Sequence, residues 1–152
     1  MNIVLVEPEI PANTGNIARS CAATGATLHL VGKIGFSIDE PSVKRAGLDY
    51  WHLVKILQHN SLEALWAQYP EGRYFYLSTK GKNYYHNVKF QSNDFIVFGK
   101  ETKGLPEELI KSKQECTFRI PMIEGARSLN LSNAVAVVLF EGLRQLDFCG
   151  LK

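Results

Sequence analysis

The chain has 152 residues, of which 45% are hydrophobic and 21% are charged. Domains commonly contain roughly 100–200 residues, so this length predicts a single domain over residues 1–152. The composition is that of a globular protein, which excludes a chain that is disordered, collagen-like or coiled-coil throughout. The net charge of +2 permits nucleic-acid binding through a local basic patch without requiring it.

The sequence lacks the usual signals of a membrane or secreted protein. No apolar run approaches the roughly 20 residues of a membrane-spanning helix. No basic segment precedes the first apolar stretch, where signal peptides carry one. Cys21, Cys116 and Cys149 are far apart, and the four histidines form no HExxH or HxH pattern. We therefore predict a cytoplasmic protein with no membrane segment, no disulfide framework and no metal site.

Short apolar segments, rich in β-branched and aromatic residues, predict the strands of the fold. They mostly lack polar alternation, which is typical of strands that are covered on both faces in a parallel sheet. A further segment, 53–57, is either a strand or the end of a helical turn. The predicted strands, in chain order, are residues 3–6, 27–31, 74–77, 95–98 and 117–120.

Helical segments alternate with these strands, and their ends are marked by capping residues, prolines and glycines. This alternation predicts an α/β fold, with a mainly parallel sheet and helices on both faces. The first two are a helix over 17–23, capped by Asn13 or Thr14 and ended by Gly25, and a short helix from Pro41 to Gly47. The others are a helix over 62–69 begun by Asn60 with Glu63, a helix over 107–111 opened by Pro106, and a last helix from Ser132 or Asn133 to about Leu146.

The last predicted helix is apolar nearly all round, with Val135, Val137, Val138 and Phe140 on different sides. A surface helix normally shows a single apolar stripe. The helix is therefore either a central core helix or a helix covered partly by its own domain and partly by a second subunit. Its terminal position in a small domain favours the second interpretation.

Segments rich in Gly, Asn and Ser, each with charged side chains, follow three of the predicted strands. They are the first segment (residues 7–19), the second segment (98–106) and the third segment (120–134). In open α/β sheets, ligands bind at the carboxyl ends of the strands. The sequence therefore predicts a ligand site where these segments meet.

The three segments resemble the three motifs of the SPOUT methyltransferases. NTGNIAR (13–19), FGKETKGLP (98–106) and IPMIEGARSLNLSNAVAV (120–137) occur in the order and at the separation of that family. The resemblance covers the chain from Asn2 to about Gly150. The opening NIVLVEPEIPANTGNIAR and the stretch RAGLDYW (45–51) resemble the small subgroup that 2′-O-methylates the wobble nucleotide of tRNA.

This resemblance implies a deep C-terminal trefoil knot, a homodimer and S-adenosylmethionine as the methyl donor. It implies 2′-O-methylation of cytidine or uridine at position 34 of tRNA. The absence of a GxGxxG fingerprint agrees with a donor that is held outside a Rossmann loop. Residues that match the cofactor-binding positions of relatives, or add apolar walls beside them, are Leu77, Gly99, Ile120, Met122, Ser128 and Leu129.

Arg19 matches the catalytic arginine of the family, and Glu101, Ser128 and Asn130 are candidates for holding it and the ribose. A guanidinium is a poor base, since its pKa lies above about 12. Arg19 therefore either takes the proton of the 2′-OH or stabilises the developing alkoxide electrostatically, and both roles stay open. The candidates for RNA contact at the site are Asn13, Asn16, Arg127 and Lys103.

Basic and aromatic residues elsewhere are candidates for tRNA recognition through phosphate neutralisation and base stacking. They are Lys33, Lys44, Arg45, Lys80, Lys82, Lys100, Tyr50, Trp51, Tyr84 and Tyr85. Three alternative functions remain. One is 2′-O-methylation at another tRNA or rRNA site, and another is a non-catalytic RNA-binding module with the same fold. The third, a flavodoxin-type nucleotide-binding protein, is disfavoured by the missing phosphate loop.

Overall fold

The computed structural model describes residues 1–37, 41 and 48–152. Apart from Pro41, the short helix predicted up to Gly47 lies outside the described residues, as do Lys44, Arg45 and the Trp51 side chain.

The described residues form one seven-stranded sheet, in which every pair of neighbouring strands is parallel. The strand order is β3-β2-β1-β6-β4-β7-β5, so the chain crosses from one side of β1 to the other after β3. The strands are β1 (Asn2–Val6), β2 (Thr27–Val31), β3 (Lys55–His59), β4 (Tyr74–Leu77), β5 (Asn83–Tyr84), β6 (Phe95–Phe98) and β7 (Thr117–Arg119).

The strand predictions are confirmed almost residue by residue. β2, β4 and β6 have the predicted bounds, β1 begins one residue earlier, and β7 ends one residue earlier. The ambiguous segment is a strand, shifted two residues to become β3. The sequence did not predict β5, because a strand of two exposed residues carries no apolar pattern.

Residues 1–37 and 48–152 contain four α-helices: α1 (Pro11–Thr24), α2 (Leu62–Gln68), α3 (Glu107–Ser112) and α4 (Leu131–Gln145). α1 begins earlier than predicted, because Pro11 occupies its first turn and Ile10 precedes it as the N-cap residue. The prediction that Asn13 or Thr14 caps this helix is therefore wrong. Gly25 ends α1 in the left-handed conformation, with φ of 71°, as predicted.

Two further helix starts differ from the sequence prediction. Ser61, not Asn60, caps α2, and its side chain accepts a hydrogen bond from the Ala64 N–H. Asn130 caps α4, which corrects the prediction of a start at Ser132 or Asn133. In both helices the residue immediately before the first helical residue has the reach to accept from the free N–H groups of the first turn. Pro106 precedes α3 as predicted.

Helices cover both faces of the sheet, as the sequence predicted. Successive strand residues point to opposite faces, so each strand feeds two apolar clusters. Ile3 and Leu5 of β1 pack in the cluster that contains α1 and α4. Val4 and Val6 pack in the cluster that contains α2 and α3. Within the described residues, no helix is long and apolar enough to cross a bilayer.

The last helix, α4, has one buried face and one exposed apolar face. Val135, Val138 and Leu139 are fully buried against the sheet, whereas Val137 is 40% exposed and Phe140 is 47% exposed. The interpretation of α4 as a helix enclosed by its own domain is therefore wrong. Cover by a second subunit stays a prediction, and so does the trefoil knot.

Candidate functional site

The carboxyl ends of β1, β6, β4 and β7 lie side by side, because these strands are neighbours and parallel. The segments that follow them enclose a cavity of about 560 Å³. This position, where the strand order reverses around β1, is the usual ligand site of an open α/β sheet. The predicted meeting of the three segments is confirmed by this cavity.

All the predicted cofactor-binding residues line the cavity: Leu77, Gly99, Ile120, Met122, Ser128 and Leu129. Its apolar wall also includes Phe98, Leu105 and Ile110. Other predicted site residues in the lining are Glu101, Asn130, Asn13, Arg127 and Lys103. Arg19 and Asn16 lie outside the lining, exposed on α1.

The second segment is a closed turn that requires glycine at two positions. Lys100 and Gly104 exchange backbone hydrogen bonds, at 3.2 Å and 2.8 Å. Gly104 has φ of +65°, which most side chains disfavour. A Cβ on Gly99 would lie 2.1 Å from the carbonyl carbon of Gly104. The close approach at Gly99 is therefore between two parts of the same segment, and it shapes the cavity wall.

The carboxylate of Glu101 binds the start of α1. It accepts hydrogen bonds from the Glu9 N–H at 2.8 Å, the Ile10 N–H at 3.1 Å and the Asn13 side-chain amide at 3.2 Å. Since Ile10 offers no capping side chain, Glu101 supplies an anion to this helix N-terminus from another segment. The second segment thereby sets the position of α1, which carries Arg19.

Two more carboxylates join the first and second segments. Glu9 accepts from the Thr102 hydroxyl at 2.7 Å and the Thr102 N–H at 3.2 Å, and the hydroxyl contact is the main cause of its lowered pKa. Glu7 binds the Lys100 ammonium at 2.6 Å, which raises the pKa of that lysine. Sequence reasoning missed these pairs. The only signal was two acidic residues directly after β1 and a cation and a hydroxyl in the second segment.

Asn13 connects all three segments and is 6% exposed. Its amide donates to Glu101, and its carbonyl oxygen accepts from the Asn130 amide at 3.0 Å. The Asn130 carbonyl oxygen in turn accepts from the Ser132 N–H and hydroxyl at the start of α4. This geometry gives Asn13 an ordering role in the site, whereas its contact with RNA stays a prediction.

Neither Glu101 nor Asn130 contacts Arg19 in the way that the sequence predicted. Within the described part of the chain, the hydrogen-bond donors on Glu101 are Glu9, Ile10 and Asn13, because that carboxylate is turned towards the start of α1. Asn130 is occupied as a cap and by Asn13. The Arg19 guanidinium instead lies over the Tyr50 ring, with 5.0 Å from its carbon to the ring centroid.

The cysteines are all free, with Cys21 buried and Cys116 and Cys149 exposed. Among residues 1–37, 41 and 48–152, no three His, Cys, Asp or Glu side chains form a group that could hold a metal ion. The expectation of metal-free chemistry stays a prediction.

The fold and site are those of an RNA methylase class. A family model described as the SpoU rRNA Methylase family matches residues 1–140, so the chain belongs to that family. The chain is 47% identical to a tRNA (cytidine(34)-2'-O)-methyltransferase of Escherichia coli (strain K12), and the match covers 99% of this chain and 96% of the relative. A relative of the same description from Methylovorus glucosotrophus (strain SIP3-4) is 49% identical, covering 98% of this chain and 97% of the relative.

Solved structures agree with these relatives. One, described as giving structural insights into the 2-OH methylation of C/U34 on tRNA, is 43% identical with a TM-score of 0.91 and covers 96% of this chain and 95% of its own. An AdoMet-bound rRNA methyltransferase from Sinorhizobium meliloti is 27% identical with a TM-score of 0.83, covering 95% of this chain and 56% of its own. The predicted resemblance to this class of enzyme is confirmed.

Proposed function

We propose that this protein transfers a methyl group from S-adenosylmethionine to the ribose 2′-oxygen of the wobble nucleotide, cytidine or uridine 34, in tRNA. The observation that carries the proposal is the cavity formed by the three motif segments, which is lined by every residue matched to a cofactor position. The near full-length relatives named for this reaction identify the nucleotide.

The cavity fits the donor in size and chemistry. Its volume of about 560 Å³ lies within the roughly 300–1,000 Å³ of small-molecule sites. Leu77, Ile120 and Met122 offer an apolar slot for an adenine, and the backbone of the second segment offers polar groups beside it. When bound, S-adenosylmethionine supplies an electrophilic methyl group on a sulfonium.

The residues of this chain supply position and charge at the acceptor. A ribose 2′-OH is a very weak acid, so its oxygen needs alignment with the methyl and help in losing its proton. We assign Arg19 to the 2′-oxygen or its neighbouring phosphate, where a guanidinium stabilises negative charge. Glu101, Asn13 and Asn130 hold the start of α1 and the third segment in register with the cavity. Ser128, on the cavity wall, is assigned to the ribose.

The assay that tests this function uses purified protein, S-adenosylmethionine with a labelled methyl group and full-length tRNA transcripts. We expect label only in tRNA, and digestion should place it on the ribose of nucleotide 34. A transcript with a 2′-deoxyribose at position 34 is the matched control and should accept no label. Label at another nucleotide, or in rRNA alone, would favour the alternative 2′-O-methylase. If calorimetry detects no binding of S-adenosylmethionine, the result would favour the non-catalytic RNA-binding module.

We also propose that the active form is a homodimer of one-domain subunits, residues 1–152, with a knotted C-terminal segment, working on tRNA in the cytoplasm. The support for the dimer is the exposed apolar face of α4, around Val137 and Phe140. An exposed apolar surface on a folded chain commonly marks an interface. The support for one domain is the single sheet, to which every described strand belongs.

Sedimentation of the unmodified protein should give a dimer at micromolar concentration. Phe140→Glu should give a monomer, because burying an unpaired charge in the interface costs several kcal/mol. Phe140→Leu, which keeps the surface apolar, is the control and should remain dimeric. Val138→Glu is unsuitable, since Val138 is fully buried in the subunit's own core. A monomeric unmodified protein would contradict the proposal.

A further inference from the structure

Arg19 and Tyr50 come from different parts of the chain and meet on the surface, outside the cavity lining. Arg19 is exposed on α1, and Tyr50 lies in a 3₁₀ helix, Leu48–Leu53, on the connection from β2 to β3. The guanidinium carbon is 5.0 Å from the ring centroid, within the roughly 6 Å of a cation–π contact. This connection is outside the three motif segments, so the contact brings a fourth segment to Arg19.

A contact with an aromatic ring does not by itself use the hydrogen-bond donors of an arginine. A guanidinium donates hydrogen bonds from the edge of its plane, whereas a ring contacts its face. A carboxylate partner would occupy that edge and neutralise the charge. An aromatic ring limits the motion of the long side chain without using its donors. The contact therefore suits an arginine whose N–H donors must bind a phosphate or a ribose oxygen.

We propose that Tyr50 is a positioning residue for the methyl transfer, which acts by holding the Arg19 guanidinium over its ring. The proposal rests on the proposed function, since it assigns Arg19 to the reacting ribose. It also replaces the expectation that Tyr50 stacks on an unpaired base. The ring is 38% exposed, and the guanidinium lies over one of its faces.

The main test measures single-turnover methyl transfer at saturating tRNA and S-adenosylmethionine in four variants: Tyr50→Leu, Tyr50→Phe, Arg19→Ala and the double variant Tyr50→Leu/Arg19→Ala. We expect Tyr50→Leu to slow transfer roughly 10-fold, because a misplacement of about 1 Å can cost about 10²-fold and an unheld Arg19 still samples the productive position part of the time. Tyr50→Phe keeps the ring and should stay within about 2-fold of the unmodified protein. S-adenosylmethionine affinity should not change in the Tyr50 variants. Phe148→Leu, at an exposed ring outside the motif segments, is the control and should be fully active.

The double variant distinguishes positioning from independent roles. If Tyr50 acts through Arg19, then removing the ring has no further effect once the guanidinium is gone, and the double variant should match Arg19→Ala. A further 10-fold loss in the double variant would overturn the proposal. Loss of tRNA affinity alone in Tyr50→Leu, with a normal saturated rate, would overturn it in favour of base stacking.

A second measurement does not depend on activity. The Tyr50 ring should shift the NMR resonances of the Arg19 side chain upfield, because the guanidinium lies over the ring face. The shift should persist in Tyr50→Phe and vanish in Tyr50→Leu. An unshifted Arg19 would overturn the proposal even if position 34 is methylated. A shifted Arg19 resonance in a protein that does not methylate position 34 would locate the failure in the proposed function.

Discussion

The cavity that we assign to the donor and the surface around Arg19 are built in different ways. The cavity is formed by loops whose backbone shape is locally determined, with Gly99 and Gly104 closing the second segment on itself. The Arg19 surface is formed by side chains from α1 and from the β2–β3 connection. Contiguous sequence motifs therefore form the cavity that we assign to the donor, whereas the group assigned to the acceptor is placed by contacts between distant segments. Variants of the two regions should accordingly separate binding from transfer.

The largest expected effect is that of pH on the free energy of unfolding. It sets the pH range in which variants of the two regions can be compared. Buried His29 of β2 is 2.9 Å from His59 and 3.2 Å from Asn2 through its two ring nitrogens. Burial, followed by the charge of His59, lowers the pKa of His29 from 6.5 to about 4. Between pH 6.5 and about pH 4, the His29 imidazole is therefore protonated in the unfolded chain but stays neutral in the folded protein. The resulting stability is fully present above pH 6.5 and is lost as pH falls towards 4.

We expect His29 to account for about 3 kcal/mol of lost unfolding free energy over this range, since each pKa unit corresponds to about 1.4 kcal/mol. Urea unfolding at pH 8 and pH 4 measures the change. His29→Gln cannot titrate, and its pH dependence should be weaker by that amount. Equal pH dependence in the two proteins would contradict the assignment.

The second prediction sharpens the comparison at Arg19. Arg19→Ala should slow single-turnover methyl transfer roughly 10²-fold or more, the usual scale for losing a positioned charge-stabilising or proton-transfer group. S-adenosylmethionine affinity should change little, because Arg19 lies outside the cavity lining. Arg19→Lys should rescue poorly, since an ammonium lacks the planar fork of donors. A near-normal rate at saturating tRNA, with weaker tRNA binding, would make Arg19 a binding residue.

The third prediction concerns the cavity. Gly99→Ala would place a Cβ 2.1 Å from the backbone of Gly104, so the second segment must move. We expect S-adenosylmethionine affinity to fall roughly 10-fold or more, because the displaced backbone forms the cavity wall. Gly35→Ala is the matched control, since its added Cβ has no atom of the described residues within 4 Å apart from its own chain neighbours. Calorimetry should show normal binding in the control. Equal affinity in both variants would mean that the turn does not shape the site.

The smallest effect is expected where the two regions are joined. In Glu101→Gln, the remaining side-chain oxygen can still accept a hydrogen bond at the start of α1. The new NH₂ group faces N–H donors there and cannot accept from them. Since one hydrogen bond to a charged group contributes about 1.5–3 kcal/mol and a neutral acceptor retains part of that, we expect losses of roughly 3- to 10-fold. Affinity and single-turnover rate should both fall, because Glu101 lines the cavity and positions α1. A change in only one of them would show that the regions are independent.

Much of this protein is determined by local sequence. Apolar runs located β2, β4 and β6 to the residue, because strands that are buried on both faces carry no competing polar pattern. The motif segments located the cavity, because parallel strands bring the loops at their carboxyl ends to one edge of the sheet. Gly25 and Pro106 marked helix ends through backbone conformations that few other residues favour.

The tertiary structure decided the direction of each side chain. An all-apolar helix has no polar face to orient it, so the sequence could not distinguish buried Val138 from exposed Phe140. Glu101 faces the start of α1 rather than Arg19, because free helix N–H groups lie within its reach. Arg19 lies over Tyr50 because the β2–β3 connection returns beside α1. Such contacts join residues that are distant in the chain, and their geometry exists only once the sheet and its helices have packed.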